Sequence, residues 1–192
     1  DKIQSSIAGL GSNLIIVTPG ATSASGVRLA AGSNTTLTNK DAQAIARQIP
    51  GVSAVAPSVS RQYQVVSGNK NWTTNVQGTT PEFLDVRNFV VESGRFFNTQ
   101  DVDTRTRVVV LGKTTADNLF PDLAPVGQTI RVNKAPFMVI GVLEGKGQSA
   151  GGMDQDDFAV IPLTTAQERM MGISYIQTIN VQADSPEVIN QV

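Results

Sequence analysis

The sequence predicts an α+β fold, and three observations lead to this prediction. The 192 residues include 23 Val, 13 Ile and 18 Thr, which are β-branched and favour strands. A β-α unit stands near each end of the chain. Between these units, short strand-like runs alternate with turn residues. The length suits one large domain or two small subdomains.

The N-terminal segment has the spacing of an amphipathic helix. Apolar residues are separated by four, three and four positions at Ile3, Ile7, Leu10 and Leu14. Such a helix either packs on the domain's own core or is the tail of a longer helix upstream. The run LIIVT predicts a buried strand, which Pro19-Gly20 ends. A small, polar loop follows over Ala21–Thr36.

A capped helix and a long hairpin come next. Thr38 with Asp41 predicts a capping-box start, and Pro50-Gly51 ends the helix. From Val52 the apolar residues recur at every second position, which indicates a strand. A turn at Ser67–Asn71 leads to a return strand that contains Trp72, Thr74 and Val76.

The middle of the chain is rich in strands. Thr80-Pro81 predicts the start of a short helix in PEFLDV, and Thr114–Phe120 predicts another, stopped by Pro121. The turn Asn133-Lys134-Ala135 predicts a hairpin, and Gly145–Gly152 predicts a flexible loop. The predicted strands are FVV, TRVVVLG, QTIRVN and FMVIGVL.

The last part of the chain repeats the pattern of strand and helix. FAVIPL predicts a strand, and Thr164 with Gln167 predicts a capping box for the helix TTAQERMMG. A further strand carries Tyr175, Ile179, Val181 and Ala183, and Ser185-Pro186 predicts a helix start. We expect the two terminal units to pack together as one subdomain (1–75 and 164–192), with residues 76–163 inserted as a β-rich subdomain.

The composition excludes several classes of function. The net charge is −1 without a basic run, which argues against nucleic-acid binding. The chain has no Cys and no His, so disulfides, thiolate or imidazole metal sites and Ser–His or Cys–His pairs are excluded. It has no run of 18 apolar residues that could span a bilayer. Instead, uncharged polar residues keep the surface soluble.

The acidic residues do not predict a metal site. Asp154, Asp156 and Asp157 lack the spacing and the twelfth-position Glu of an EF-hand loop. We therefore expect a solvated acidic loop in which the two adjacent side chains diverge. Asp101 and Asp103 are expected to pair at the surface with the neighbouring Arg105 and Arg107.

No catalytic constellation or cofactor site is predicted. Gly145–Gly152 does not match the phosphate-binding motif G-x-x-x-x-G-K-[ST]. Ser67 has a Lys three residues later, Lys70, but the pair stands in a turn rather than on a helix. Trp72 is expected to be a packing residue rather than a platform for a ligand. We therefore expect a domain that is not an enzyme.

Six stretches stand in a distinctive order: GSNLIIVTPG, TNKDAQAIARQIPGVSAVAP, NFVVESGRFF, RVVVLGKTTADNLF, PVGQTIRVNKAPFMVIGVL and DQDDFAVIPLTTAQERMMG. Together they resemble the periplasmic core domain of MacB-type ABC transporter permeases. The resemblance extends from about Leu10 to Val192. The stretch Val126–Leu143 is shared more loosely with FtsX and with the lipoprotein-releasing permeases LolC and LolE.

The resemblance implies a domain on the periplasmic side of the inner membrane, between the first two membrane helices of a permease. In that family a porter-like subdomain formed by both chain ends carries an inserted Sabre subdomain, which would span Val76–Leu163. Both ends of this chain would then lead into membrane helices. The domain would couple cytoplasmic ATP hydrolysis to efflux by mechanotransmission.

The implied partners are a periplasmic adaptor protein, a second permease protomer and a TolC-type outer-membrane duct. The candidate partner contacts are Trp72 and the loop residues Gly147, Gln148, Ser149, Ala150, Gly151 and Gly152. An alternative is a domain of the LolC/LolE kind that binds lipoproteins or lipopeptides. The polar loop Ala21–Thr36 disfavours it, because capture of an acyl chain requires an apolar hook. An unrecognised hydrolase is a third possibility.

Overall fold

A nine-stranded sheet forms the framework of the protein. The computed structural model describes residues 13–19, 23–24, 27–28 and 37–185. The helices predicted from Ile3 and after Ser185, and most of the loop over Ala21–Thr36, lie outside these residues. The described elements combine helices with a mixed sheet, so the predicted α+β class is confirmed.

The strands and helices follow one another in short succession. The strands are β1 (Leu14–Val17), β2 (Ser23–Ala24), β3 (Val27–Arg28), β4 (Val52–Ser67), β5 (Lys70–Thr79), β6 (Val91–Gly94), β7 (Val108–Leu111), β8 (Thr129–Val132), β9 (Ala135–Leu143), β10 (Phe158–Pro162) and β11 (Thr178–Ala183). The helices are α1 (Asn39–Gln48), α2 (Phe83–Arg87), α3 (Thr99–Asp103), α4 (Lys113–Leu119) and a π-helix (Thr165–Met171).

Six of the strands close into a barrel. The ladder runs β4, β5, β10, β7, β9 and β8, and β8 pairs again with β4 through Val65 and Val66. The β5–β10 and β7–β9 pairs are parallel and the other four pairs are antiparallel. Closure gives every barrel strand a hydrogen-bonded partner on both sides. Outside the barrel, β6 pairs with the end of β9.

Strand β4 belongs to two parts of the sheet. Its first half, Val52–Ser58, pairs with β11, and β11 pairs with β1. Its second half, Val59–Ser67, pairs with β5 in the barrel. The 16 residues of β4 extend over about 50 Å at roughly 3.3 Å per residue. One continuous strand therefore connects the β1–β11 edge with the barrel.

Two hydrophobic clusters lie on opposite faces of the central strands. Alternate residues of β7 enter different clusters, with Val109 and Leu111 in one and Val108 and Val110 in the other. The larger cluster also receives Tyr63, Ile130, Phe137 and residues of the π-helix. The smaller one contains a group of Phe rings. Because β7 and β10 are buried on both faces, their sequences are apolar throughout.

The structure confirms one predicted helix cap and corrects the other. At α1 the Asp41 carboxylate accepts from the Thr38 backbone N–H at 2.7 Å, as the capping box requires. At the π-helix the Thr164 hydroxyl instead donates to the Val102 carbonyl. Gln167 is buried and its amide donates to the Tyr175 carbonyl at 3.0 Å. The capping box predicted for Thr164 and Gln167 is therefore wrong.

The tight turns agree with the sequence more closely than the strand boundaries do. Asn133 and Lys134 both have positive φ, 46° and 71°, as a two-residue hairpin turn requires. The strand predicted over FVV begins only at Val91, because the Phe89 N–H still donates to the Leu84 carbonyl at the end of α2. Val76, where the inserted subdomain is predicted to begin, lies within β5. The division into two subdomains stays a prediction.

Candidate functional site

The segment Gly145–Asp157 forms a hairpin-like loop, and the flexibility predicted for Gly145–Gly152 stays a prediction. The Asp156 carboxylate is buried and accepts from the backbone N–H groups of Lys146 and Gly147, each at 2.8 Å. Further along, the Ser149 N–H donates to the Met153 carbonyl at 2.8 Å. These bonds anchor the base of the loop and leave its tip, Gly147–Gly152, largely exposed.

Asp157 forms a second anchor beneath the loop. Its Oδ1 accepts from Trp72 Nε1 and Thr74 Oγ1, both at 2.8 Å, and from Thr115 Oγ1 at 3.1 Å. The prediction of a solvated acidic loop is therefore wrong for Asp156 and Asp157. The expected divergence of the two side chains is confirmed, since they bind different sets of donors.

Trp72 is half-buried and packs against the larger cluster, in agreement with its predicted packing role. Its indole N–H is directed at Asp157, so its ring holds β5 against the base of the loop. The six candidate loop residues Gly147–Gly152 lie at the other end of the same loop. The structure thus connects both sets of predicted partner-contact residues through Asp157, and their contact role stays a prediction.

The surface ion pairs differ from those expected for Asp101 and Asp103. Asp101 accepts from Arg95 at 3.0 Å and also caps α3. The Arg105 guanidinium pairs with the Glu168 carboxylate on the π-helix instead of a neighbouring Asp carboxylate, and this hydrogen bond lowers the pKa of the Glu168 carboxyl. The chain turns at Arg105, where φ is +54°, and this directs the side chain to the distant helix.

A groove of about 390 Å³ opens beside the loop. One wall consists of polar side chains from β4, β5 and β11, among them Ser60, Asn75 and Thr178. The other wall consists of the Phe rings around α2 and the side chain of Met153, which is 76% exposed. The groove therefore combines hydrogen-bonding groups with an apolar surface, which is the usual character of small-ligand sites.

Two cations line the same groove. Lys146 Nζ donates to the Arg87 backbone carbonyl and lies 4.1 Å from the centre of the Phe89 ring. Burial lowers the pKa of Lys146, and the charge of Arg87 lowers it further. Burial also lowers the pKa of Arg87, whose Nε is buried without a hydrogen-bond partner among the described residues.

A second cavity of about 310 Å³ lies between α1, β4 and α3. Half of its lining is apolar, with Ala42, Ala46 and Leu163 among these residues, and the other half is polar. The hydroxyl of Thr80 is buried there without a partner among the described residues. It lies on the side of the molecule near the Thr38 cap and shares no lining residue with the groove.

Within the described residues, no group of three or more acidic residues could hold a metal ion. The same part of the chain has no helix that is long and apolar enough to cross a membrane.

No sequence pattern indicates Arg87, Lys146 or Met153 as site residues. Arg87 ends the short helix α2, and Lys146 lies 59 residues later in the loop. Only the packing of the loop against α2 brings them together. The cation-over-ring contact of Lys146 with Phe89 likewise depends on this packing and has no local sequence pattern.

Comparisons with known proteins agree with one another. The family model for the MacB-like periplasmic core domain matches residues 1–192. A curated relative from Bdellovibrio bacteriovorus, named macrolide export ATP-binding/permease protein MacB, is 38% identical over 191 residues. The match covers 97% of this chain and 29% of the relative. The chain thus spans less than a third of the length of that relative.

Two solved structures are similar to the whole fold. The periplasmic region of MacB from Actinobacillus actinomycetemcomitans has a TM-score of 0.76 at 29% identity, with 95% of this chain and 80% of that chain covered. The extracellular domain of the ABC-type transporter YknZ from Gram-positive bacteria has a TM-score of 0.72 at 20% identity, with 93% and 86% covered. The second likeness concerns the fold alone.

Proposed function

Because the chain belongs to the family of MacB-like periplasmic core domains, we propose that it couples movements at the membrane to substrate efflux. The resemblance inferred from the sequence is confirmed, and so is the periplasmic location that it implied. The domain has no evident catalytic role, whereas the relatives that it matches are named as ATP-binding proteins. In this proposal the rest of the transporter hydrolyses ATP and the domain transmits the resulting displacement.

The observation that carries the proposal is the continuity of β4. Where the described chain enters and leaves the sheet, Ala183 N–H donates to the Asn13 carbonyl at 2.9 Å, so the two ends lie side by side. Strand β11 connects this edge to the first half of β4. The second half of β4 belongs to the barrel. A displacement of the β1–β11 edge therefore has a direct, hydrogen-bonded route into the barrel.

Stiffness supports the same proposal. A closed ladder cannot shear without breaking hydrogen bonds, and the barrel interior is filled by buried side chains such as Val65, Ile130 and Val139. Packed elements of this kind move as bodies rather than deform gradually. We propose that membrane helices flank the domain on both sides and that a second protomer completes the moving unit.

The coupling role can be tested by making the backbone of β4 more flexible. Ser60→Gly with Arg61→Gly changes two residues just beyond the point where β4 passes from β11 to β5. Because Gly inside a strand costs roughly 0.5–1 kcal/mol per residue, the domain should stay folded. In the full-length transporter we expect at least a fivefold loss of export while ATP hydrolysis continues. The measurements are export and ATPase rates in reconstituted vesicles.

The control variant introduces two glycines at the far end of the β4–β5 hairpin. Asn69→Gly with Lys70→Gly adds glycines at the β4–β5 turn, which lies beyond the point where β4 enters the barrel. This variant should export at the normal rate. If both variants export normally, β4 does not carry the coupling and the proposal fails.

We also propose that the loop tip contacts a periplasmic adaptor, which in turn engages a TolC-type duct. The support is an exposed apolar side chain, Met153, beside the predicted contact residues Gly147–Gly152 on an anchored loop. An exposed apolar side chain held by a rigid base is a favourable anchor for a protein partner.

Adaptor binding can be measured by biolayer interferometry with the full-length permease. We expect Met153→Ser to weaken the association about tenfold, because the apolar contact is removed. Met138→Ser is the matched control, since Met138 is 52% exposed on β9 and lies outside the groove lining. Equal effects of the two substitutions would contradict the loop assignment. Failure of both the isolated domain and the intact permease to bind would remove the adaptor as a partner.

A further inference from the structure

The groove beside the loop has a cationic end. Lys146 and Arg87 both line it, and neither forms a salt bridge within 4.0 Å in the part of the chain that the structure describes. Arg87 has one N–H, at Nε, that is buried without a partner among those residues. Since a buried donor without an acceptor is costly, an acceptor supplied by a ligand would be stabilised here.

Two carboxylates line the groove, Asp154 and Asp157, and both accept hydrogen bonds from the protein. Asp157 Oδ1 accepts from the three donors on β5 and α4. Asp154 accepts from Thr114 Oγ1 and from the Asp156 N–H, both at 2.8 Å. Asp156 is engaged with the backbone N–H groups of the loop base. The acidic groups are therefore held by donors of the protein rather than by the two cations.

A buried cluster of Phe rings underlies the groove next to the cations. The Phe83 and Phe89 rings stack with their centres 5.8 Å apart, and Phe89 also contacts Phe158 with 5.2 Å between the ring centres. Met153 adds an exposed thioether on the loop side of the groove. Charged and apolar binding groups thus lie within one cavity whose volume is in the range of small-molecule sites.

We propose that this groove binds an organic anion in which one carboxylate is joined to an apolar body. Lys146 and Arg87 bind the carboxylate, and the apolar body lies against Met153 and the accessible part of Phe89. Polar side chains of β4 and β5 on the opposite wall accept or donate further hydrogen bonds. The proposal does not depend on the coupling role of β4.

The test is a calorimetric titration of the domain with N-acetyl-L-phenylalaninate, which combines a carboxylate with an aromatic ring. We expect saturable binding at one site. N-acetyl-L-phenylalaninamide has the same ring without the charge and should bind at least tenfold more weakly. Inorganic phosphate has a charge without an apolar body and should also bind at least tenfold more weakly.

Substitutions locate the site. Lys146→Met keeps most of the aliphatic stem and should weaken the binding of N-acetyl-L-phenylalaninate at least fivefold. Lys70→Met removes an exposed lysine at the β4–β5 turn and should leave binding unchanged. Phe89→Leu does not change the net charge of the protein and should also weaken binding. Circular dichroism spectra identical to the unsubstituted domain would exclude unfolding as the cause.

Several results would overturn the proposal. Equal affinities for the anion and the amide would show that the cations do not contribute. Equal affinities for phosphate and the aromatic anion would show a site for charge alone. An equal loss in Lys146→Met and Lys70→Met would show a general effect of net charge, and no saturable binding would show that the groove takes no such ligand.

Discussion

Replacing Asp157 by Ala is expected to lower the free energy of unfolding by about 4 kcal/mol. Three donors lose their acceptor at once, and Thr74 and Thr115 are buried. Each unsatisfied buried donor costs about 1–3 kcal/mol, although the hydroxyls of Thr74 and Thr115 retain their mutual contact at 3.4 Å. The measurement is urea unfolding of the domain.

Trp72 is the only Trp of the chain, so the Trp fluorescence of the protein comes from this site alone. Trp72 Nε1 donates to Asp157, so its fluorescence should change in the folded Asp157→Ala variant before any unfolding. Asp157→Asn keeps an oxygen acceptor and should cost less than half as much. Asp122→Ala removes an exposed carboxylate and should cost less than about 0.5 kcal/mol. A loss for Asp157→Ala as small as that for Asp122→Ala would contradict the anchoring role.

Gly94→Ala is expected to have an effect of similar size, at least about 3 kcal/mol. Gly94 has φ +75°, and a Cβ there would lie 2.1 Å from the Ile140 carbonyl oxygen and 2.9 Å from the Gly141 Cα. Both neighbouring atoms belong to the backbone of β9, so no side chain can move aside. Either β6 separates from β9 or the barrel strand shifts.

A matched glycine separates the clash from the backbone strain. Gly127 also has a positive φ, +91°, but a Cβ there would meet nothing within 4 Å. Gly127→Ala should therefore cost only about 1–2 kcal/mol, the penalty of the left-handed conformation. Thermal unfolding of the two variants gives the comparison. Equal losses would show that the approach of β6 to β9 is not tight enough to exclude a methyl group.

Features that depend on residues close together in the sequence were predictable from the sequence. The Thr38–Asp41 cap forms because both groups stand within one helical turn. The Asn133–Lys134 turn forms because a two-residue hairpin requires positive φ there. Tertiary contacts determine the features that the local sequence pattern predicted wrongly. Gln167 does not cap the π-helix, since its amide donates to the Tyr175 carbonyl and contacts Asn39 on α1.

The site was less accessible to sequence analysis than the fold. The role of Asp157 depends on β5, α4 and the start of β10 meeting at one point, and the β5–β10 pairing is parallel and distant in sequence. Local sequence patterns therefore predicted solvated carboxylates, whereas Asp156 and Asp157 are bound by donors of the protein. The cations of the groove become visible only when α2 and the loop are packed together.

Because β4 pairs with β11 in its first half and with β5 in its second half, the two halves can pair at different times during folding. Its barrel half can form the hairpin with β5 as soon as residue 79 is available, because this pairing is local. Its other half must wait for β11, and the hydroxyl pair Ser58–Thr178 joins residues 120 positions apart. During synthesis and translocation, Val52–Ser58 is thus the last part of the strand to find its neighbour. It is the stretch that we expect a periplasmic chaperone to protect.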